Sequence, residues 1–127
     1  MNREITIVFV SYYSKKKILK YLNQFNDKFK VFIIENSNDL SLKKNLKKFK
    51  NVSIHYNKKN IGFGASSNKG LKKIKTKYGL HLDLDTKFSN DSILKLINQA
   101  KKLDEFIILG PKIKNYNYKT RDYREKN

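Results

Sequence analysis

The apolar residues of this chain fall into short runs separated by amphipathic stretches. Apolar runs, the first of them rich in β-branched residues, occupy positions 5–10, 31–34, 52–56, 80–84 and 106–109. Between these runs, apolar residues recur every three or four positions, which is the period of a helix. Solidly apolar strands that alternate with amphipathic helices are typical of a parallel sheet with both faces covered. The pattern therefore predicts an α/β domain with a mostly parallel sheet of about five strands and helices on both faces.

The same pattern predicts where helices begin and where the domain ends. Ser14 is the candidate N-cap of the first helix, and a glycine-bearing loop, Asn60–Gly64, precedes the third. Residues 112–127 lack apolar periodicity, so we expect an edge segment or tail there. The domain is accordingly predicted to span residues 1–111.

Polar residues follow each predicted strand. In a parallel α/β sheet, ligands bind beyond the carboxyl ends of the strands, so these residues predict the site. They are Ser11, Tyr12 and Tyr13 after the first strand, Glu35, Asn36, Ser37, Asn38 and Asp39 after the second, Asn57 to Gly64 after the third, and Asp83 and Asp85 after the fourth.

Asp83 and Asp85 stand at the end of the fourth apolar run. Residues two apart in extended backbone face the same side, so both carboxylates can point at one place. Such hard oxygen ligands suit magnesium, manganese or calcium, with water and ligand phosphates completing the coordination shell. The absence of cysteine and the presence of only two histidines, His55 and His81, argue against zinc, and both histidines are interpreted as structural. The alternative for the pair is a simple turn before a helix.

The charge is strongly positive: 29 Lys plus Arg face 11 Asp plus Glu, for a net charge of +18. All but three of the basic residues are lysines, whereas nucleic-acid recognition favours the arginine fork. The lysines, including Lys15–Lys17, fall where helix exteriors are predicted. They are interpreted mainly as a solvated surface. Their secondary, functional interpretation is attraction to anionic lipid headgroups or phosphorylated ligands.

Length and the N-terminus bound the remaining possibilities. The 127 residues suit one domain with its own core, and the lack of cysteine suits a reducing compartment. The first apolar run is too short for a signal peptide or a membrane span. We therefore expect a cytoplasmic protein.

Four blocks in a fixed order resemble the family 2 glycosyltransferases of the GT-A fold, especially their rhamnosyltransferase-like branch. The blocks are Phe9–Tyr12, Ile33–Asp39, Asn60–Gly70 and Leu82–Thr86. The third, with its glycines and asparagines around Phe63, is the most specific. The likeness extends over about residues 5 to 113. It implies a Rossmann-like, nucleotide-binding half of a GT-A enzyme.

The resemblance assigns roles to the predicted site residues. Ser11, Tyr12, Glu35, Asn36 and Asp39 would hold the base and ribose of a nucleotide sugar, with Glu35 accepting from a uracil or thymine imide. Asn60, Gly62, Gly64 and Asn68 would lie under the nucleotide near the sugar phosphates. Asp83 and Asp85 would hold Mg²⁺ or Mn²⁺ on the diphosphate. Many relatives have Asn-Pro-Asp at this place, so Asp85 is expected to be the direct ligand and Asp83 a direct or indirect one.

The resemblance also implies an activity and partners. The donor would be a UDP- or dTDP-sugar and the acceptor a glycan or a lipid-linked glycan, at the inner face of the membrane. Relatives usually exceed 200 residues, and their later half supplies the acceptor site and the general base. We therefore expect residues 112–127 to start an acceptor half that is missing here. The general base is expected beyond Asn127, and no catalytic residue is assigned within this chain. The bare sheet edge left by that missing half would allow a homodimer.

Three other classes of protein fit the sequence less well. A Rossmann dehydrogenase needs Gly-x-Gly-x-x-Gly after the first strand, but Gly62-Phe63-Gly64 follows the third and Ser67 takes the last glycine's place. A haloacid-dehalogenase-like phosphatase needs Asp-x-Asp-x-Thr, and Lys87 stands where that threonine belongs. A nucleic-acid or anionic-surface binding module is favoured by the charge and the eight tyrosines, and disfavoured by the wide spread of the lysines.

Overall fold

The structure, a computed structural model, describes residues 1–103, 105 and 108–111. The elements are β1 Asn2–Ser11, α1 Lys15–Phe25, β2 Phe29–Glu35, α2 Leu42–Leu46, β3 Val52–Tyr56, α3 Phe63–Lys73, β4 Tyr78–His81 and α4 Asn90–Lys101. Residues 1–90 form one compact unit and residues 91–127 a second. In the second unit, the buried face of α4 carries Ile93, Ile97 and Ala100.

The first unit is built on a parallel sheet with the strand order β3-β2-β1-β4. In the register, Phe9 of β1 is opposite Ile33 of β2, and Val8 is opposite His81 of β4. The chain moves outward from β1 through β2 to β3 and then returns to place β4 on the other side of β1. The order thus reverses between β1 and β4, which is where α/β sheets form their ligand crevice.

Helices cover both faces of the sheet. Phe9 stacks on Phe25 of α1, with ring centroids 6.1 Å apart. The preceding residue, Val8, points to the opposite face, where α3 lies so close that a Cβ on Gly70 would be 2.6 Å from Val8 Cγ1. Because the crossovers through α1 and α3 run in opposite directions along the sheet, right-handed connections require this arrangement.

An aromatic cluster joins α1 to the segment that follows β4. Tyr21 stacks on Phe88 with centroids 4.4 Å apart, and its hydroxyl donates to the Thr86 carbonyl oxygen at 2.7 Å. Gln24 donates to the Phe88 carbonyl oxygen at 3.1 Å. These contacts hold the turn that carries Asp83 and Asp85 beside the N-terminal half of α1.

The predicted fold class is confirmed, with four strands in the described part of the chain. Phe106 and Ile107 of the predicted fifth strand lie outside the described residues, so that strand stays a prediction. The same holds for the segment 112–127 and for the domain boundary at 111. The general base, which was expected beyond Asn127, also lies outside the described residues and stays a prediction.

One local prediction was wrong, and another was right in position. The fourth strand ends at His81 instead of Leu84: Leu82 N still donates to Val8 O at 3.2 Å, but the backbone then turns at Asp83. Ser14 occupies the N-cap position of α1, yet its hydroxyl donates to the Tyr12 carbonyl oxygen and does not cap the helix. The helices of the described residues include none with the length and apolar character needed to cross a membrane.

Candidate functional site

A cavity of about 880 Å³ opens at the carboxyl ends of β1 and β4, where the strand order reverses. Of the eleven residues to which the resemblance assigns roles, six line it: Tyr12, Asn36, Asn60, Gly62, Asp83 and Asp85. The other five, Ser11, Glu35, Asp39, Gly64 and Asn68, are not in the lining. We call this cavity the cleft.

Asp83 and Asp85 lie on a tight turn directly after β4. Asp83 Oδ1 accepts the Asp85 backbone N–H at 2.9 Å, and the Thr86 N–H donates to the Asp83 carbonyl oxygen at 3.0 Å. One oxygen of Asp83 therefore shapes the turn, as aspartate side chains commonly do. Both aspartates are exposed and line the cleft. Both carboxylates thus belong to the lining of one cavity, although a turn and not the strand itself presents them.

The side chains of the cleft can hold a divalent ion only if a bound phosphate ligand and water complete the coordination shell of that ion. The cleft offers two carboxylates, whose hard oxygens suit Mg²⁺ or Mn²⁺. No group of three or more acidic, histidine or cysteine side chains that could hold a metal occurs in the described part of the chain. Phosphate oxygens and water would have to supply the other ligands, which is the usual manner of magnesium binding.

The first turn of α1 places three lysines, Lys15, Lys16 and Lys17, in the lining of the cleft. Lys15 Nζ donates to Ser41 Oγ at 3.1 Å, and Lys17 Nζ forms an ion pair with Asp85 Oδ1. The hydrogen bond and charge of Asp85 raise the pKa of Lys17. This turn contains no acidic residue, and cations are disfavoured at the positive N-terminal end of a helix. The arrangement therefore favours an anion in the cleft.

These lysines were missed as site residues. Lys15–Lys17 were interpreted mainly as part of a solvated surface. Lys16 and Lys17 are indeed exposed, but all three also line the cleft, because the first turn of α1 directly follows the carboxyl end of β1. The rule that ligands bind beyond the strands would have identified them, had it been extended from the loop to the first turn of the helix.

Glu35 is fully buried below the cleft. Its Oε1 accepts from the Ser37 N–H at 3.1 Å and from the Ser37 hydroxyl at 2.6 Å, and its Oε2 accepts from the Asp39 N–H at 2.5 Å. Asp39 in turn accepts from the N–H and the hydroxyl of Ser41, and that hydroxyl bond lowers the pKa of Asp39. Both acids therefore organise the loop after β2.

A network of side-chain amides holds the loop before α3. The Asn36 side-chain NH₂ donates to Asn60 Oδ1 at 2.6 Å, and Asn36 Oδ1 accepts from the Ile61 N–H at 3.0 Å and from Asn57 Nδ2 at 3.1 Å. Asn60 Oδ1 also accepts the Gly62 N–H at 2.8 Å. Asn36 and Asn57 are both buried. Asn57, which was not among the individually predicted site residues, directly follows β3, so its position was a usable signal.

Gly62 is the N-cap residue of α3 and has a backbone conformation that residues other than glycine rarely adopt. Its φ is 86° and its ψ is 162°, a region essentially restricted to glycine. Phe63, the next residue, is 54% exposed and also lines the cleft. Gly64 and Asn68 are exposed on α3 and do not line it.

Two polar side chains near the cleft lie buried without hydrogen-bond partners in the described structure: Ser11, through its hydroxyl, and His81, through both ring nitrogens. The His81 ring packs edge-on against Phe63, with centroids 5.0 Å apart. Burial lowers the pKa of His81, and the nearby charge of Asp83 opposes that shift. Burial and the charges of Lys69 and Lys73 also lower the pKa of His55.

Comparison with known proteins identifies the family. TarS from S. aureus, crystallised as residues 1–349, is a similar solved structure with a TM-score of 0.64 and 17% sequence identity. The match covers 78% of this chain and 32% of that one, so this chain spans about a third of the TarS chain, and the likeness concerns the fold. The comparison with curated proteins gives no match. The family model described as Glycosyl transferase family 2 matches residues 6–127, nearly the whole chain, and the chain therefore belongs to glycosyl transferase family 2.

Proposed function

We propose that this chain is the donor-binding half of a glycosyltransferase and binds a UDP- or dTDP-linked sugar in the cleft. The observation that carries the proposal is that three lysines and two aspartates line one cavity at the reversal of strand order. A nucleoside diphosphate bridged by a divalent ion is a ligand that requires both signs of charge. An oxidised nicotinamide dinucleotide would need no carboxylate pair at its diphosphate.

The base and ribose would lie on the β1–β2 side of the cleft. Tyr12 is 54% exposed and Tyr13 is 73% exposed, and their rings meet edge-to-face at 4.7 Å. Exposed aromatic rings of this kind provide a stacking surface for a base. Asn36 lines the same side, while Glu35 and Ser11 would act from below by shaping the loop and the strand end.

The diphosphate would lie between α1 and the turn after β4. Asp85 and Asp83 would hold Mg²⁺ or Mn²⁺ together with phosphate oxygens and water. When bound, such an ion neutralises charge on the departing nucleoside diphosphate as a Lewis acid. Lys15, Lys16 and Lys17 add positive charge from the first turn of α1, and the positive helix end reinforces it.

Sugar transfer also needs an acceptor site and a general base. In the described part of the cleft the only acidic residues are Asp83 and Asp85, and both serve the donor in this proposal. We propose a glycan or lipid-linked acceptor, and no general base is assigned among the described residues. The lysine-rich surface would draw the protein to anionic lipids at the inner face of the membrane, and a second copy would cover a bare sheet edge.

A thermal-shift experiment tests donor binding. UDP or dTDP should raise the melting temperature, the rise should grow when Mn²⁺ is present, and ADP and NAD should have little effect. Asp85→Asn should remove the Mn²⁺-dependent part, whereas the control Asp91→Asn on α4 should keep it. A larger shift with NAD or ADP than with UDP or dTDP would contradict the proposal. Tight, salt-sensitive binding of an oligonucleotide with no response to UDP would favour the nucleic-acid module instead.

A further inference from the structure

The ion pair between Lys17 and Asp85 spans the crevice between α1 and the turn after β4. Its side chains are 54% and 75% exposed, so packing does not lock either of them in place. The ammonium group of Lys17 is therefore already paired with the carboxylate that the proposed function assigns to a divalent ion. An exposed ion pair of this type is weak and can be exchanged at small cost.

We propose, as an extension of the proposed function and resting on it, that Lys17 occupies Asp85 while the cleft is empty and is displaced when a divalent ion enters with the nucleoside diphosphate. An ammonium group and a divalent ion on the same carboxylate repel each other strongly at contact distance. Lys17 then moves to the diphosphate oxygens. Its flexible stem allows this movement without a change in the backbone.

The position of Lys17 is maintained by the helix that carries it. Tyr21 lies one turn further along α1 and therefore on the same face as Lys17. The hydroxyl of Tyr21 donates to the Thr86 carbonyl oxygen, and its ring stacks on Phe88. The backbone of Lys17 is consequently held opposite Asp85 before and after the exchange, and only the side chain has to move.

The exchange makes metal and nucleotide binding cooperative. In the empty cleft, a metal ion has to displace Lys17, and no anion is present to receive the lysine. When the diphosphate is present, it supplies both phosphate oxygens for the metal and a new partner for Lys17. By linkage, each ligand then strengthens the other by the same factor.

The test compares Lys17→Met with Lys16→Met. Both variants lose one positive charge from the lining of the cleft, but only the first releases Asp85. Binding of Mn²⁺ is measured by electron paramagnetic resonance without nucleotide and again with saturating UDP. Both lysines are exposed, so both variants should fold, which circular dichroism checks.

Without nucleotide, Lys17→Met should bind Mn²⁺ about two- to fivefold more tightly than Lys16→Met, the range expected for releasing an exposed pair. The factor by which UDP strengthens Mn²⁺ binding should be smaller in Lys17→Met than in Lys16→Met. Equal Mn²⁺ affinities of the two variants would overturn the inference, because only a general effect of charge would remain.

The outcomes separate this inference from the proposed function. If all the proteins bind UDP but none binds Mn²⁺, the exchange is disproved and donor binding stands. If no protein binds UDP or dTDP, the proposed function fails and the inference falls with it.

Discussion

The side-chain amide of Asn36 donates to the side-chain oxygen of Asn60 at 2.6 Å and so joins the end of β2 to the loop before α3. The side-chain oxygen of Asn36 also accepts hydrogen bonds from the Ile61 N–H and from the side-chain NH₂ of Asn57. One buried amide therefore satisfies three groups from a loop more than twenty residues away. This relationship gives the cleft its wall next to α3.

Replacing Asn36 should weaken both the fold and the cleft. Asn36→Ala leaves the Asn57 side chain and the Ile61 N–H without this acceptor, which should reduce the free energy of unfolding by about 1–3 kcal/mol. Urea denaturation measures the loss, and amide hydrogen exchange should be faster at Ile61 and Gly62. The control Asn23→Ala removes an exposed asparagine from α1 and should change stability little. Unchanged exchange at Ile61 would show that the network does not hold the loop.

Two glycines of α3 should respond in opposite directions to alanine. At Gly70, a new Cβ would be 2.6 Å from Val8 Cγ1 and 3.2 Å from Ile34 Cγ1, both in fully buried side chains. Gly70→Ala should therefore destabilise the protein by about 1–3 kcal/mol through overpacking. At Gly64 nothing lies within 4 Å of the new atom, so Gly64→Ala should stabilise it by about 0.5–1 kcal/mol. Thermal unfolding checks the pair, and a neutral Gly70→Ala would contradict the close approach of α3 to the sheet.

Stability should fall when the pH drops below the ordinary pKa of histidine, about 6.5. Burial lowers the pKa of His81, so the unfolded chain takes up a proton that the folded chain does not. The stabilisation from keeping His81 neutral is thus complete above that pH and is lost as the pH falls through the lowered pKa of the folded state. His55 shifts in the same direction.

Urea midpoints at about pH 7.5 and about pH 5.5, on either side of the histidine pKa, provide the measurement. His81→Phe should lose less stability between the two values than the unaltered protein does, because it removes one of the two titrating groups. His55→Phe serves as the comparison, because it removes the titration of His55 and leaves that of His81. An identical loss in His81→Phe and the unaltered protein would mean that His81 is not shifted.

The local pattern was enough to predict most of the scaffold. Alternating apolar runs and helical periodicity indicated a parallel sheet covered on both faces, and the described residues have it. The polar positions after the strands include residues that line the cleft, among them Asn36 and both aspartates. The scaffold could be predicted because strand and helix periods depend on neighbours that are close in sequence.

The roles of individual side chains were less predictable. Glu35 was expected to meet a base, but the structure has its oxygens bound to the loop after β2; its contact with a nucleotide stays a prediction. Lys17 was expected mainly to face solvent, and it is 54% exposed, but it also forms an ion pair with Asp85. The type of a residue and its place in the sequence do not specify which hydrogen-bond or ion-pair partner its side chain will have in the folded protein.

By itself, the sequence determined the order of strands and helices along the chain, the four blocks that resemble the family, and the strand ends at which polar residues collect. These features follow from short-range sequence pattern. Only the tertiary structure decided that β4 pairs with β1, that α1 therefore faces the turn after β4, and that Lys17 meets Asp85 across the crevice. Lys17 and Asp85 are almost seventy positions apart, and the packing of Tyr21 on Phe88, together with the pairing of β1 and β4, brings them within reach.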